Sequence, residues 1–266
     1  MDINIDDILA DLDRDTTAVG STPAPAGDDT TRLDDSAATV AADYSTLVTH
    51  WCNERVAPEL LPYPHTLMAR VLARLAAQIE HLETLSTGVL EQTLDRSAKL
   101  PLLCMEAELE RLKFVVRSLL RCRLGKIDRF GLYLRQLDAR SPGALQTLLS
   151  AQERVYYERH SAILLKLFNN AILRHMPAEM QAVDDTEGSV SMIDEPEWAR
   201  FVFLYVREPA PDAPDPLLAV DDHGQPCYSV NIPELGEVVD LAVGGIYIMR
   251  YNVIKDLLMD GKVVLI

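Results

Sequence analysis

The chain has 266 residues, 48% of them hydrophobic, and its 41 acidic against 25 basic residues leave a formal charge of −16 at pH 7. That length holds two small domains or one larger domain with a real core. No run of 18 apolar residues reaches bilayer length, and so acidic a chain is a poor free-standing binder of nucleic-acid phosphates.

The first residues, Met1 to Ala10, carry Asp2, Asp6 and Asp7 and no base. No secretory or mitochondrial leader is therefore expected. Ile5, Ile8, Leu9 and Leu12 recur at helical spacing and would form one apolar stripe, with the aspartates near the positive end of the helix dipole. A segment of about twelve residues is not a stable helix alone. Residues 1–13 therefore read as a frayed end, as a segment docked on its own domain, or as a peptide that folds into a partner's groove. Residues 14–43, rich in Thr, Ala, Gly, Pro and Asp without apolar period, read as a disordered acidic linker. Such a tether favours the partner reading.

Residues 44–180 read as an α-helical domain. Ser45–Arg55 forms a first helix, ended by Pro58, Pro62 and Pro64. Leu67, Met68, Val71, Leu72, Leu75, Ile79, Leu82 and Leu85 stripe a second. Apolar residues from Leu102 to Leu134 mark a long third, about 50 Å if continuous at ~1.5 Å per residue. Ser150 and Glu153 make a capping box that opens a fourth, ending at Met176 before Pro177. Four amphipathic helices predict a bundle. Residues 181–200 read as an acidic linker, and 201–266 as a small β-rich domain. Strands are expected at Phe201–Val206, Tyr228–Ile232, Glu237–Val243 and Val263–Ile266, with a long loop from Pro209 to Pro226 and one helix over Ile246–Met259. The fold class is thus α+β, a helical bundle followed by a β-rich module.

Charge is unevenly spread. Residues 1–43 hold 11 acids and 2 bases, 44–180 hold 14 and 18, and 181–266 hold 16 and 5. Seven bases fall between Arg111 and Arg129, and a DNA-binding helix over 111–129 is one alternative. Arg123, however, interrupts the apolar stripe set by Leu119 and Ile127, so it must be partly buried beside a carboxylate of this chain or of a partner subunit. The interleaving of bases with apolar residues suits an interface better than an open phosphate track.

Catalytic signatures are missing. No phosphate-binding glycine loop, zinc-protease helix or nucleophile elbow is present. Cys52, Cys104, Cys122 and Cys227 form no C-x-x-C pair and read as free thiols of a reducing compartment. His50, His65, His81, His160, His175 and His223 have no metal spacing. Neither enzymatic activity nor a cofactor is expected.

Several stretches nevertheless form an ordered set of motifs. These are Trp51-Cys52-Asn53-Glu54-Arg55 with Pro58-Glu59-Leu60-Leu61; Met105 to Phe114 (M-E-A-E-L-E-R-L-K-F); Leu120 to Ile127 (L-R-C-R-L-G-K-I); His175-Met176-Pro177; and Gly261 to Ile266. Together they resemble the SLD-type subunit of the GINS complex. The resemblance implies a non-catalytic scaffold that assembles with three other GINS subunits through its helices. It further implies association with the MCM hexamer and a RecJ-like partner in the replicative helicase, contact with DNA only indirectly, and nuclear location. Trp51, Arg111, Arg117, Arg121, Arg123 and Lys126 would then serve the subunit interface. Asp6-Asp7-Ile8-Leu9-Ala10-Asp11-Leu12 is similar to the peptide that fungal members present to the trimeric chromosome-transmission-fidelity hub. Ile5, Ile8, Leu9 and Leu12 would fill its groove, with Asp6 and Asp7 on polar donors.

Overall fold

The structure, a computed structural model, describes residues 29–91, 99–177, 180, 181, 183, 193–209, 215–220, 224–232 and 236–266. The peptide of Ile5, Asp6, Asp7, Ile8, Leu9 and Leu12 lies outside the described residues.

The first helix, α1, runs Asp29–Val56. It begins well before Ser45, so the latter part of the expected 14–43 linker is helical. From Asp28 to Ala57 the chain contains neither glycine nor proline, and Ala37, Ala38, Ala41 and Ala42 favour helix without needing an apolar stripe. The helix α2 spans His65–Glu91, directly after Pro64. Lys99–Arg129 forms α3, with Pro101 tolerated in its first turn. Gly131–Arg140 forms α4. The expected long third helix is therefore interrupted at Phe130, where φ is −99° and ψ 22°. Hydrogen bonding carries across, because Phe130 N donates to Lys126 O and Leu134 N to Phe130 O. The interruption is a kink that keeps both Phe130 and Leu134 buried.

Left-handed Gly143 (φ 95°) opens the short α5, Ala144–Leu148. The next helix, α6, runs Ala151–Ala171 and starts with the capping box that Ser150 and Glu153 predict. It stops short of Met176, giving way to a 3-10 turn at Leu173–His175. Among the described residues no helix is long and apolar enough to cross a membrane.

The β-rich part contains two three-stranded antiparallel sheets. One has the order β5 (Ile246–Arg250), β1 (Phe201–Val206), β6 (Val263–Leu265); the other runs β2 (Leu218–Val220), β3 (Pro226–Ile232), β4 (Glu237–Ala242). Two expectations are corrected here. Residues 246–250 form a strand before the helix α7, Tyr251–Met259. Their in–out alternation pairs with β1, Phe203 opposite Ile248, and that outweighs helical spacing over so short a run. The expected Pro209–Pro226 loop contains β2, held to β3 by the pair Ala219–Cys227. At the β4–β5 turn Gly244 takes φ 79°, and a Cβ on Gly245 would come within 2.6 Å of the Tyr247 ring.

The described chain divides into two compact units, residues 1–48 with 64–118, and 49–63 with 119–266. In the first, Asp43 of α1 receives Arg70 Nη2 at 2.7 Å and Arg74 Nη2 at 3.4 Å from α2. The Arg70 hydrogen bond holds the Asp43 carboxyl below the usual carboxylate range, against the opposing effect of burial. The second unit has two apolar clusters. Leu60, Ile127, Leu134, Leu145, Leu149 and Tyr157 form its helical core. The inner faces of both sheets, α7, Ala57 and Leu61 form its β core. Trp198 packs on that β core, so the end of the expected 181–200 linker belongs with the β-rich module.

Candidate functional site

The element common to both clusters of the second unit is the segment 49–63, where the first sequence motif falls. It brings Asn53, Glu54 and Glu59, all buried, into an otherwise apolar setting. Burying charge is costly unless every donor finds an acceptor. Here the matching is complete.

Arg123 on α3 has no solvent exposure. Its Nε donates to Glu153 Oε1 at 2.7 Å and its Nη2 to Glu153 Oε2 at 3.2 Å, a bidentate pair. Nη1 donates to Glu54 Oε2 at 3.0 Å and to Leu61 O at 2.8 Å. Nη2 also donates to Leu148 O at 2.6 Å. A guanidinium has five N–H donors, and these contacts use all of them. The Tyr63 ring lies beneath, 5.2 Å from Cζ.

One turn on, Lys126 Nζ donates to Glu54 Oε1 (2.7 Å), Glu54 O (2.6 Å) and Glu59 O (2.6 Å). That exhausts the three donors of an ammonium. Burial pushes Lys126 below the ordinary lysine pKa, while Glu54 opposes the shift. Glu153 serves twice, since its Oε2 also accepts from Ser150 N to complete the helix cap.

The same segment grips the β-rich module. Glu59 Oε1 accepts from Tyr251 Oη at 2.7 Å, and Oε2 accepts from Lys255 Nζ at 2.7 Å. Burial first, and then this hydrogen bond, raises the Tyr251 phenol far above its ordinary pKa. Asn53 Oδ1 accepts from Leu265 N of β6 at 2.8 Å. His50 lies close by; burial, reinforced by Arg123 and Arg207, lowers its pKa. Among the described residues no buried side-chain nitrogen or oxygen lacks a hydrogen-bond partner. The segment is thus a two-sided clamp, with α3 and α6 on one side and α7 and β6 on the other.

Of the residues expected at the interface, Arg123, without solvent exposure, and Lys126, half-buried, are both engaged by carboxylates of this chain. Arg111 and Arg117 are exposed and pair along their own helix, Arg111 Nη1 with Glu108 at 2.9 Å and Arg117 Nη1 with Glu110 at 3.6 Å. Arg121 is exposed, and Trp51 is half-buried with the Arg55 guanidinium 5.0 Å over its ring. Arg111 and Arg117 belong to the first unit, and Trp51, Arg121, Arg123 and Lys126 to the second. The polar residues missed by sequence reasoning are Asn53, Glu54, Glu59 and Glu153. The stripe-breaking Arg123 was the signal that carboxylates had to be found.

A different surface is left open. On α6, Ile163 and Leu167 are 65% and 55% exposed, and Phe168 and the following Ile172 are exposed as well. At 3.6 residues per turn Val155, Tyr156, Ile163 and Leu167 share one side and make it an apolar outer side, with Phe168 further round the helix.

Comparison with known proteins matches residues 73–172 to the family described as "GINS complex protein helical bundle domain" and residues 196–266 to "DNA replication complex GINS protein SLD5 C-terminus". The chain belongs to the SLD5 family of GINS proteins. It is 51% identical over 295 residues to the SLD5 protein of Saccharomyces cerevisiae and 50% identical over 309 residues to that of Candida glabrata. The Kluyveromyces lactis relative is 51% identical over 292 residues, and in all three cases the whole of both chains is covered. The family's two matched regions coincide with the helices from mid-α2 to α6 and with the β-rich module. The clamp segment 49–63 precedes both matched regions in sequence.

Proposed function

We propose that the chain is a non-catalytic scaffold subunit of a four-membered GINS assembly. In this reading it works in the nucleus as part of the replicative helicase, beside the MCM hexamer and a RecJ-like partner, in chromosomal DNA replication. Residues 1–13 dock on the trimeric hub and so connect helicase to polymerase alpha–primase.

The observation that carries the reading is the apolar outer side of α6. Val155, Tyr156, Ile163 and Leu167 left in water along one side of a helix call for a partner to cover them. The clamp supports it from inside, since a fully saturated charge network fixes the helix that presents this side. The alternative, a DNA-binding helix over 111–129, has no comparable support. Of its seven bases, Arg123 is buried, Lys126 is half-buried and engaged by Glu54, and Arg111, Lys113 and Arg117 are paired with Glu108 and Glu110.

The test is co-expression with the three other GINS subunits and mass determination after size exclusion. A 1:1:1:1 species is expected, and Ile163→Asp with Leu167→Asp should remove this chain from it. An intact assembly carrying both aspartates would sink the reading. Ile8→Ala with Leu9→Ala should leave the assembly intact and abolish hub binding.

A further inference from the structure

The outer side of α6 carries two bases among its apolar residues. At about 100° per residue, Arg159 falls between Val155 and Ile163 on that side, and Lys166 falls there beside Leu167. Arg159 also lines, with Val155, Tyr156 and Ile163, a single hollow of about 390 Å³ on this helix. Both bases are exposed.

Elsewhere on the same helix a base finds its acid. Arg154, on another side, is met by Glu158 at 3.0 Å, one turn on. Arg159 and Lys166 have no such counterpart. The positions three and four residues to either side of each hold no acid. Among the described residues neither side chain has an ion pair or a hydrogen bond. Asp128 of α3 reaches this helix, but it accepts from Tyr156 Oη at 2.9 Å and lies 3.3 Å from His160 Nδ1. Water serves the two bases while the face is open. Under an apolar cover, a guanidinium or an ammonium without a carboxylate is costly. Whatever covers the face has to bring the carboxylates.

We propose that the segment covering α6 is an acidic amphipathic helix of another subunit, with two carboxylates set to meet Arg159 and Lys166. This rests on the scaffold reading and adds the chemistry of the partner to it. The two bases are about 10 Å apart along the helix axis. The acids therefore belong two turns apart on the partner helix, with apolar side chains between them on Ile163 and Leu167. A second copy of this chain is the poorer occupant, because an isologous contact sets bases against bases. Nucleic acid is poorer too, because apolar surface interrupts the track that phosphates would follow.

The test uses the four-subunit assembly with a fluorescently labelled copy of this chain, whose exchange out of the assembly is timed. Zero-length carbodiimide coupling then maps which carboxylates touch Lys166 and, in Arg159→Lys, position 159. Each coupling joins the amine and the carboxyl as an amide, and the water lost converts the carbodiimide to a urea. Both positions should couple to Asp or Glu residues of one helix of one other subunit. Arg159→Met should speed exchange about tenfold, because it leaves the partner's carboxylate buried and unpaired. Arg159→Glu should speed it further, and Arg154→Met, off the face, by less than about twofold. Coupling at neither position overturns the proposal. So does an Arg159→Met chain that exchanges as slowly as the wild type while Ile163→Asp with Leu167→Asp is expelled; the scaffold reading then stands without it. Coupling to a second copy of this chain, or protection of Lys166 from acetylation by duplex DNA and not by the other subunits, also overturns it. A wild-type chain that enters no assembly sinks the scaffold reading, and this proposal with it.

Discussion

The two halves of α3 carry the same kind of residue to opposite ends. In the first half Arg111 and Arg117 stand in solvent and Lys113 is half-buried, and all three pair along the helix with Glu108 and Glu110. In the second, Arg123 and Lys126 are taken inside, where Glu54, Glu153 and four backbone carbonyls use every donor they have. Both halves are bases interleaved with apolar residues, and local sequence marks only Arg123, by its place in the apolar stripe. What differs is the presence of carboxylates from far along the chain. A basic run is therefore a structural keystone or a solvated surface according to its partners, and the energetic consequences differ by an order of magnitude.

The sharpest way to break that comparison is Arg123→Ala. It leaves Glu153 buried without a counter-charge, leaves Glu54 with Lys126 alone, and should cost about 3–5 kcal/mol. Denaturant melts of the purified assembly would measure it. Arg123→Lys should fare little better, because an ammonium offers three donors without the planar fork. A loss below about 1 kcal/mol for either variant would place Arg123 with the surface arginines. The next effect is Asn53→Ala. Removing the side-chain acceptor orphans the Leu265 amide and should cost about 1–3 kcal/mol. Amide exchange at Leu265 should accelerate more than exchange within β3.

How far the sequence foresaw this can be judged residue by residue. The fold class, the capping box at Ser150 and four of the six strands among the described residues follow from local pattern, because turn chemistry and alternation act over a few residues. The α1 start was missed since alanine-rich helix needs no stripe, and the 246–250 strand since five residues fit either period. Arg123's need for a carboxylate was legible from its place in the stripe. Its partners were not, since Glu54 and Glu153 lie 69 and 30 residues away in the chain. Only tertiary structure separates them from the other acids. Asn53 and Glu59 were visible as motif residues without a role, because the groups they hold, Leu265, Tyr251 and Lys255, belong to the distant β-rich module.

A smaller effect separates inside from outside by pH. Burial, with the Asp215 hydrogen bond, pushes Tyr228 up to about 12, and Tyr251 is raised as well by burial and Glu59. Unfolded phenols ionise near 10. A raised folded value means that the proton is kept in the native state and lost on unfolding. This contribution to stability is full below about pH 10 and fades as pH climbs towards about 12. Phenolate absorbance should therefore rise in two stages, exposed tyrosines first and the buried pair only together with unfolding. A single stage near pH 10 with the fold intact would show that the Glu59–Tyr251 contact is open to solvent.

The smallest expected effect is the control that gives the comparison its meaning. Arg111→Ala removes a pair whose members are 67% and 71% exposed. Water already screens such a contact, and holding two long side chains together costs entropy, so the loss should be about 0.5 kcal/mol or less. In a chain of this size that moves the thermal midpoint by no more than about 2 °C. Raising salt should erase even that difference, while leaving the Arg123→Ala deficit almost unchanged, because mobile ions do not reach the clamp. If Arg111→Ala instead destabilised the four-subunit assembly strongly, the front half of α3 would be buried against a partner. The pairing with Glu108 would then be what the arginine does only while it waits for that contact.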